Sequence, residues 1–291
     1  MSFDRITIIY NPNSTGNAPA MARELHEQIG EKLPKVPVDL VQSERAGHAE
    51  ELALAAAKAA KKPLIVSVSG DGGYHETVNG VMASGNTDAV AAVHAAGNAN
   101  DHRSAIRERP LIESIVRGEV VKLDLLEVKT PTGLRYAHSY LGLGISPVVA
   151  VELNRHSLNA FKELKLVFQT FWGYTPFKIK LQNGKTRTYD SLVCANIPRM
   201  AKVLKLTGDQ PNRPDDGLFE LILIPGGSKL RLVITALRLV TFGPAKAHKL
   251  ATYSFETLKP MPMQLDGEVV DLGAHAKITV IAAKRVLNTL V

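Results

Sequence analysis

The stretch SVSGDGGYHETVNG, residues 67–80, closes the apolar run PLIVSVSG and leads into the helical stretch YHETVNGVMAS. A short, continuously apolar run is typical of a parallel strand covered on both faces. A glycine-rich turn between such a strand and a helix can aim backbone N–H groups at phosphate oxygens. Asp71 lies inside that turn, flanked by Gly70, Gly72 and Gly73. Its charge would repel a phosphate unless a cation stood between them.

Outward from this stretch, the first 120 or so residues alternate short strands with helices. RITIIYNP is an apolar strand ending at Asn11-Pro12, followed by a helix from about Pro19 to Leu33. VPVDLVQS is the next strand, and GHAEELALAAAKAAKK is alanine-rich and helical. After the 67–80 stretch come the strand DAVAAVHAA and a helix from about Asp101 to Arg117. This is the rhythm of a doubly wound α/β sheet. Near Lys122 the rhythm changes. VVKLDLLEVKTPTGLRYAHSYLGLGI reads as two strands joined at Pro131-Thr132-Gly133, and one helical interlude is expected over roughly 147–172. The remaining strands are FKIKLQNGKTRTY, with a hairpin turn at Asn183-Gly184, then SLVCANI, LFELILIP, MQLDGEVVDL and AKITVIAA. The expected fold is thus an α/β domain over residues 1–121 followed by a mostly antiparallel β domain over 122–282.

The 291 residues suffice for two domains, and 45% hydrophobic with 22% charged residues is the balance of a globular protein. The N-terminus lacks a signal-peptide pattern, and no apolar run reaches the length of a spanning helix. The single cysteine, Cys194, excludes an internal disulfide and reads as a buried hydrophobe in a reducing, cytoplasmic setting. A formal charge of +7 favours anionic partners: nucleotide, nucleic acid or an anionic membrane. The basic residues are scattered without an aromatic-plus-basic RNA motif, which argues against nucleic acid. SKLRLVITALRLVTF, residues 228–242, mixes basic and apolar residues and reads first as a buried core helix, second as a lipid-touching one.

Several motifs fail. A dinucleotide fingerprint needs a glycine where His75 stands. Gly184-Lys185-Thr186 lacks the earlier P-loop glycine, because that position is Ile179. The nine histidines form no HExxH pair, so a zinc site is not expected. The turns at the strand ends remain: NPNSTGN, SERAGHA, SGDGGYHE and HAAGNAND. In an open parallel sheet ligands bind at the carboxyl ends of the strands, where these turns converge.

Taken together, these turns resemble the diacylglycerol kinase catalytic-domain family, which includes bacterial lipid kinases and sphingosine kinases. The family's Gly-Gly-Asp-Gly-Thr turn, its Asn-Glu and its Asn-Gly correspond to Ser69–Gly73, His75-Glu76 and Asn79-Gly80. Its Asn-Pro-x-Ser-Gly is similar to Asn11–Ser14 with Gly16 shifted by one, and its Thr-x-x-x-Gly-(Asp/His)-Ala to Ser43–Ala49. Its Pro-x-Gly-Thr-x-Asn-Asp is similar to Ala95–Asp101, its Asp-Asp-Gly-x-Leu-Asp-Val to Asp215–Leu221, and its late Asp-Gly-Glu to Asp266-Gly267-Glu268. Two family threonines are replaced by Gly73 and Asn98, a glycine by Ser69 and a proline by Ala95. The glycine-rich loop usually found before Asp-Asp-Gly is missing.

The resemblance implies an ATP-dependent lipid kinase with Mg2+, cytoplasmic and peripherally membrane-associated, acting on a lipid at a membrane surface and leaving room for a homodimer. It implies that Asn11, Ser43, Ser69, Gly70, Asp71, Gly72, Gly73, Glu76, Gly97 and Asn98 bind nucleotide. Asp71 would act through magnesium, and Glu268 would take the proton of the acceptor hydroxyl. A structural magnesium ion would sit at Asp216 with backbone oxygens of Arg213 and Leu218, and residues 283–291 would rejoin the first domain. The residues alone leave plainer readings open. Asp71 and Asp216-Gly217 could be turn residues, Glu76 a first-turn carboxylate favoured by its helix dipole, and Glu268 a solvated hairpin carboxylate. Two further functions also stay open: a nucleotide-binding regulatory protein without kinase activity, and a soluble-substrate kinase of the NAD kinase type.

Overall fold

A computed structural model describes residues 3–98, 100–106, 109–144, 175–200, 204–207 and 213–291. The chain forms two compact units, one of Met1–Leu125 with Lys284–Val291, the other of Leu126–Ala283.

In the first unit, strands β1 (Arg5–Tyr10), β2 (Val38–Gln42), β3 (Pro63–Ser69) and β4 (Val90–Ala95) form a parallel sheet in the order β4-β3-β1-β2. The end of β17 (Lys277–Leu290) lies parallel beside β4, Asn288 opposite Val90. All seven residues of β3 are buried, as expected of a central strand with both faces covered. Helix α1 (Ala18–Lys32) buries Ala18, Ala22, Leu25 and Ile29, the single stripe that helical periodicity places on one face. Helix α2 (His48–Lys58) buries Ala49, Ala53 and Ala57 and packs closely on α3 (Asp71–Ser84). The winding direction reverses between β1 and β3, which makes their carboxyl ends the switch point of the sheet.

Two expected boundaries move. Helix α3 spans Asp71–Ser84 with Gly70 as its N-cap, so Asp71, Gly72 and Gly73 form its first turn rather than a loop before it. The helix expected over 101–117 is two, α4 (Asp101–Ile106) and α5 (Leu111–Arg117). Pro110, which lacks an N–H and disfavours helix in the residue before it, stands at the start of the second.

The second unit is largely antiparallel. Its strands are the end of β5 (Val120–Thr130), β6 (Gly133–Ala137), β7 (Tyr140–Gly144), β8 (Phe177–Leu181), β9 (Thr186–Ala195), β10 (Arg199–Met200), β11 (Leu204–Lys205) and β12 (Phe219–Pro225). They continue with β13 (His248–Leu250), β14 (Thr252–Thr257), β15 (Met261–Leu265), β16 (Glu268–Leu272) and the first half of β17. Leu141, Leu192, Cys194, Phe219, Leu221, Phe255, Met263, Leu265 and Ile278 build its core. Cys194 is fully buried, and burial pushes its thiol pKa up.

Here three expectations change. The segment read as two strands forms three, because β6 ends at Ala137 and the carboxylate of Asp266 gathers the next backbone N–H groups. SLVCANI is not a separate strand; its first five residues end β9. Helix α6 (Lys229–Thr241) is not buried: Leu232 is covered, while Leu230, Val233, Ile234, Val240 and Phe242 are exposed. The helix expected over 147–172 lies outside the described residues. Among the described residues no helix is long and apolar enough to cross a membrane.

Candidate functional site

The strand-end turns of the first unit are tied together by backbone and short side chains. The N–H of Asn11 donates to Val68 C=O at 3.3 Å, and Asn11 Oδ1 accepts the N–H of Asn13 at 2.9 Å. The N–H of Ser43 donates to Tyr10 C=O at 2.9 Å, and its buried hydroxyl reaches the same carbonyl at 3.3 Å. The turn after β1 joins the turn after β4 twice. Gly16 N–H donates to Ala96 C=O, and Thr15 Oγ1 donates to Asn98 Oδ1, both at 2.9 Å. Asn98 is therefore a tether between turns.

The turn after β3 meets the turn after β4 backbone to backbone. A Cβ on Gly97 would stand 2.5 Å from Gly70 Cα, closer than carbon atoms approach, so the contact requires glycine. At Gly73 the obstruction is a side chain. A Cβ there would lie 2.6 Å from Ser69 Oγ and 2.7 Å from Ser69 Cβ. Ser69 thus occupies the space that Gly73 leaves open. Ser69 and Gly73 are therefore sterically coupled. The Ser69 hydroxyl lies 2.7 Å from Ser67 Oγ and donates to Gly70 C=O at 2.9 Å.

Both acidic residues of this region meet helix N-termini other than their own. Asp71 accepts the N–H of Asp101 at 3.2 Å and of His102 at 3.5 Å, at the start of α4. Glu76 accepts the N–H of Gly47 at 2.8 Å and of Ala49 at 3.1 Å, at the start of α2. Neither bond was legible, since both partners are remote in sequence. A carboxylate can accept from N–H groups and face a cation at once. With the N–H groups of the α3 first turn beside it, the region can take an anionic ligand with a bridging cation.

The second unit holds the other proposed residues. Asp216 N–H donates to Arg213 C=O at 3.4 Å, and Asp216 Oδ1 accepts Leu218 N–H at 3.0 Å. Its other oxygen pairs with Lys249 Nζ at 3.0 Å, and the same ammonium lies 3.9 Å from Glu220. Among the described residues no cluster of three or more His, Cys, Asp or Glu could hold a metal. Arg213, Asp216 and Leu218, which the resemblance implies for a structural magnesium ion, lie in one turn whose carboxylate is paired with Lys249. Glu220 is buried, and burial, opposed by Lys249 and reinforced by Asp216, pushes its pKa up to about 7.

Glu268 opens β16 and is exposed, paired across the hairpin with Leu265. Two residues earlier, Asp266 is fully buried with φ +50°. It accepts the N–H groups of His138, Ser139 and Tyr140 at 2.8, 2.8 and 3.0 Å. The aspartate of Asp-Gly-Glu thus pins the start of β7. Gln264 is also buried, and among the described residues neither amide atom has a hydrogen-bond partner. Neither Lys249 nor Gln264 belongs to a recognisable motif, and neither could have been picked out.

Residues 5–128 match the family model for the diacylglycerol kinase catalytic domain. No curated protein matches the sequence. Among solved structures, the chain is similar to a diacylglycerol kinase from Bacillus anthracis str. Sterne, with a TM-score of 0.72 at 16% identity. That alignment covers 100% of this chain and 97% of the other. A second structure from the same organism matches with a TM-score of 0.75 at 16% identity, covering 100% and 98%. At this identity the structural likeness establishes the fold.

Proposed function

We propose that this chain, whose residues 5–128 match the diacylglycerol kinase catalytic-domain model, transfers the γ-phosphoryl group of ATP to a lipid hydroxyl. The observation that carries the reading is the joining of the 70–73 and 96–100 turns around the Gly70–Gly97 contact, at the switch point of a parallel sheet. Phosphoryl transfer depends on positioning and charge stabilisation more than on covalent help from the protein. The backbone of 70–73, with Asn11, Ser43, Ser69, Gly97 and Asn98, would position the nucleotide. Asp71 would hold Mg2+, which neutralises phosphate charge when bound; Glu76 keeps the start of α2 in place. Glu268 would accept the proton of the attacking hydroxyl.

The Ser69–Gly73 coupling bears on the alternative of a decayed, inactive site. Ser69 fills the space that a side chain at position 73 would take, so this turn stays packed. The proposed setting is the cytoplasmic face of a membrane. The test is incubation with labelled ATP, Mg2+, a mixed lipid extract and NAD, followed by chromatography. Label in a lipid fraction supports the proposal. Label only in NAD would point to a soluble-substrate kinase, and no transfer at all to a nucleotide-binding regulatory protein.

A further inference from the structure

We infer that α6 and Phe242 form a docking ridge for an anionic lipid surface, an inference that rests on the lipid-kinase reading. Helical spacing puts Leu230, Val233 and Ile234 on one side of α6, and they are 70%, 38% and 58% exposed. Phe242, just past the helix end, is 82% exposed. The opposite side is the protein side: Leu232 is buried, and the helix packs on β11. Lys205 Nζ donates to Thr241 C=O at the helix C-terminus.

Charge selects the partner. Arg231 and Arg238, both exposed, flank the apolar ridge along one edge, with Lys229 on the other. From Leu221 to Phe255 the chain contains no aspartate or glutamate, while it carries Lys229, Arg231, Arg238, Lys246 and Lys249. Among the described residues, Asp190 faces the helix from another element. It lies near Lys229 and Arg231 and accepts the N–H of Gly227 at 3.1 Å. An exposed apolar ridge edged by arginines is the pattern of a helix lying in the headgroup layer of an anionic bilayer.

The experiment uses the full chain with sedimenting vesicles of phosphatidylcholine, with and without phosphatidylglycerol. Wild type should bind the phosphatidylglycerol vesicles, and added salt should weaken binding. Arg231→Gln with Arg238→Gln should weaken it about 30-fold and reduce its salt dependence. Leu230→Gln with Ile234→Gln should weaken it about 100-fold. Both double variants should keep the wild-type melting temperature and the wild-type turnover of detergent-dispersed diacylglycerol. Wild type that ignores phosphatidylglycerol vesicles, or variants that bind them equally well, would overturn the inference. So would a wild-type dimer that the variants split with vesicle binding unchanged, which would assign the ridge to a second copy. If dispersed lipid is not phosphorylated but the vesicle results stand, the kinase reading fails and the docking ridge survives.

Discussion

Replacing Gly73 with alanine should destabilise the protein, although alanine is the better helix former. In the first turn of α3 the exchange offers at most about 1 kcal/mol of propensity. Against it stands a new Cβ at 2.6 Å from Ser69 Oγ and 2.7 Å from Ser69 Cβ. Ser69 is 2% exposed, and its hydroxyl is held by contacts to Ser67 and Gly70, so it cannot swing away without losing a bond. Overpacking of this kind costs about 1–3 kcal/mol, and a broken hydrogen bond adds about 1 kcal/mol. The net expectation is a loss of about 1–3 kcal/mol, or roughly 2–10 °C in melting temperature for a chain of this size. Ser69→Gly should lose about 1 kcal/mol by itself, yet it should remove most of the penalty of Gly73→Ala when the two are combined. The assay is a double-mutant cycle by calorimetry, with a coupling of about 1–3 kcal/mol. Additive effects, or a Gly73→Ala protein as stable as wild type, would refute the steric coupling. By the same overlap, Gly73→Thr should impair ADP binding unless Ser69→Gly accompanies it.

Asp71→Asn should weaken Mg·ADP binding much more than metal-free ADP binding; equal losses in titration calorimetry would remove its metal role. Glu268→Gln should cut turnover by about 10²–10⁴ while ADP affinity and melting temperature stay unchanged; near-normal turnover would return it to the hairpin. Glu220 holds its proton more tightly folded than unfolded, so its contribution to stability is complete below pH 4.5 and is lost as pH rises through about 7. The loss is roughly 3 kcal/mol, and Glu220→Gln should flatten it; an unchanged pH–stability profile would contradict the raised pKa. Gln264→Leu removes a buried amide whose two polar atoms lack partners among the described residues, and should raise stability by about 1–3 kcal/mol. A lower melting temperature would show that the amide is satisfied.

The parallel sheet was legible because each of its strands is a short apolar run that ends in glycine, asparagine or serine before a helix. Two kinds of information were not. The first is compensation between side chains: Gly73 and Ser69 read separately as two departures, and only their distance shows one filling the other's space. The second is a long-range bond that overrides a local pattern. The run through Leu134 to Gly144 looks like one strand, but Asp266 takes three successive backbone N–H groups from its middle. The apolar periodicity of α6 is the same whether the ridge meets a protein core or a solvent boundary, so its exposure could not be read from spacing. Glu76 reads as a nucleotide-binding residue or, more plainly, as a carboxylate favoured by its own helix dipole, while its carboxylate meets the start of α2, which is remote in sequence.

The division of β5 and β17 has a consequence for how the molecule is made. The chain leaves the first unit after Leu125 and returns to it at Lys284, so residues 126–283 form an insertion within its fold. The returning segment places Asn288 against β4, where its side-chain amide donates to the carbonyls of Thr87 at 2.8 Å and Ala89 at 3.1 Å. Ser114 Oγ donates to Val291 C=O at 2.7 Å. During synthesis these partners leave the ribosome after the whole inserted unit. The inserted unit can therefore close while the earlier-made sheet still has an open edge at β4, a site where neighbouring chains could pair. The part of the protein translated first is the last to be finished.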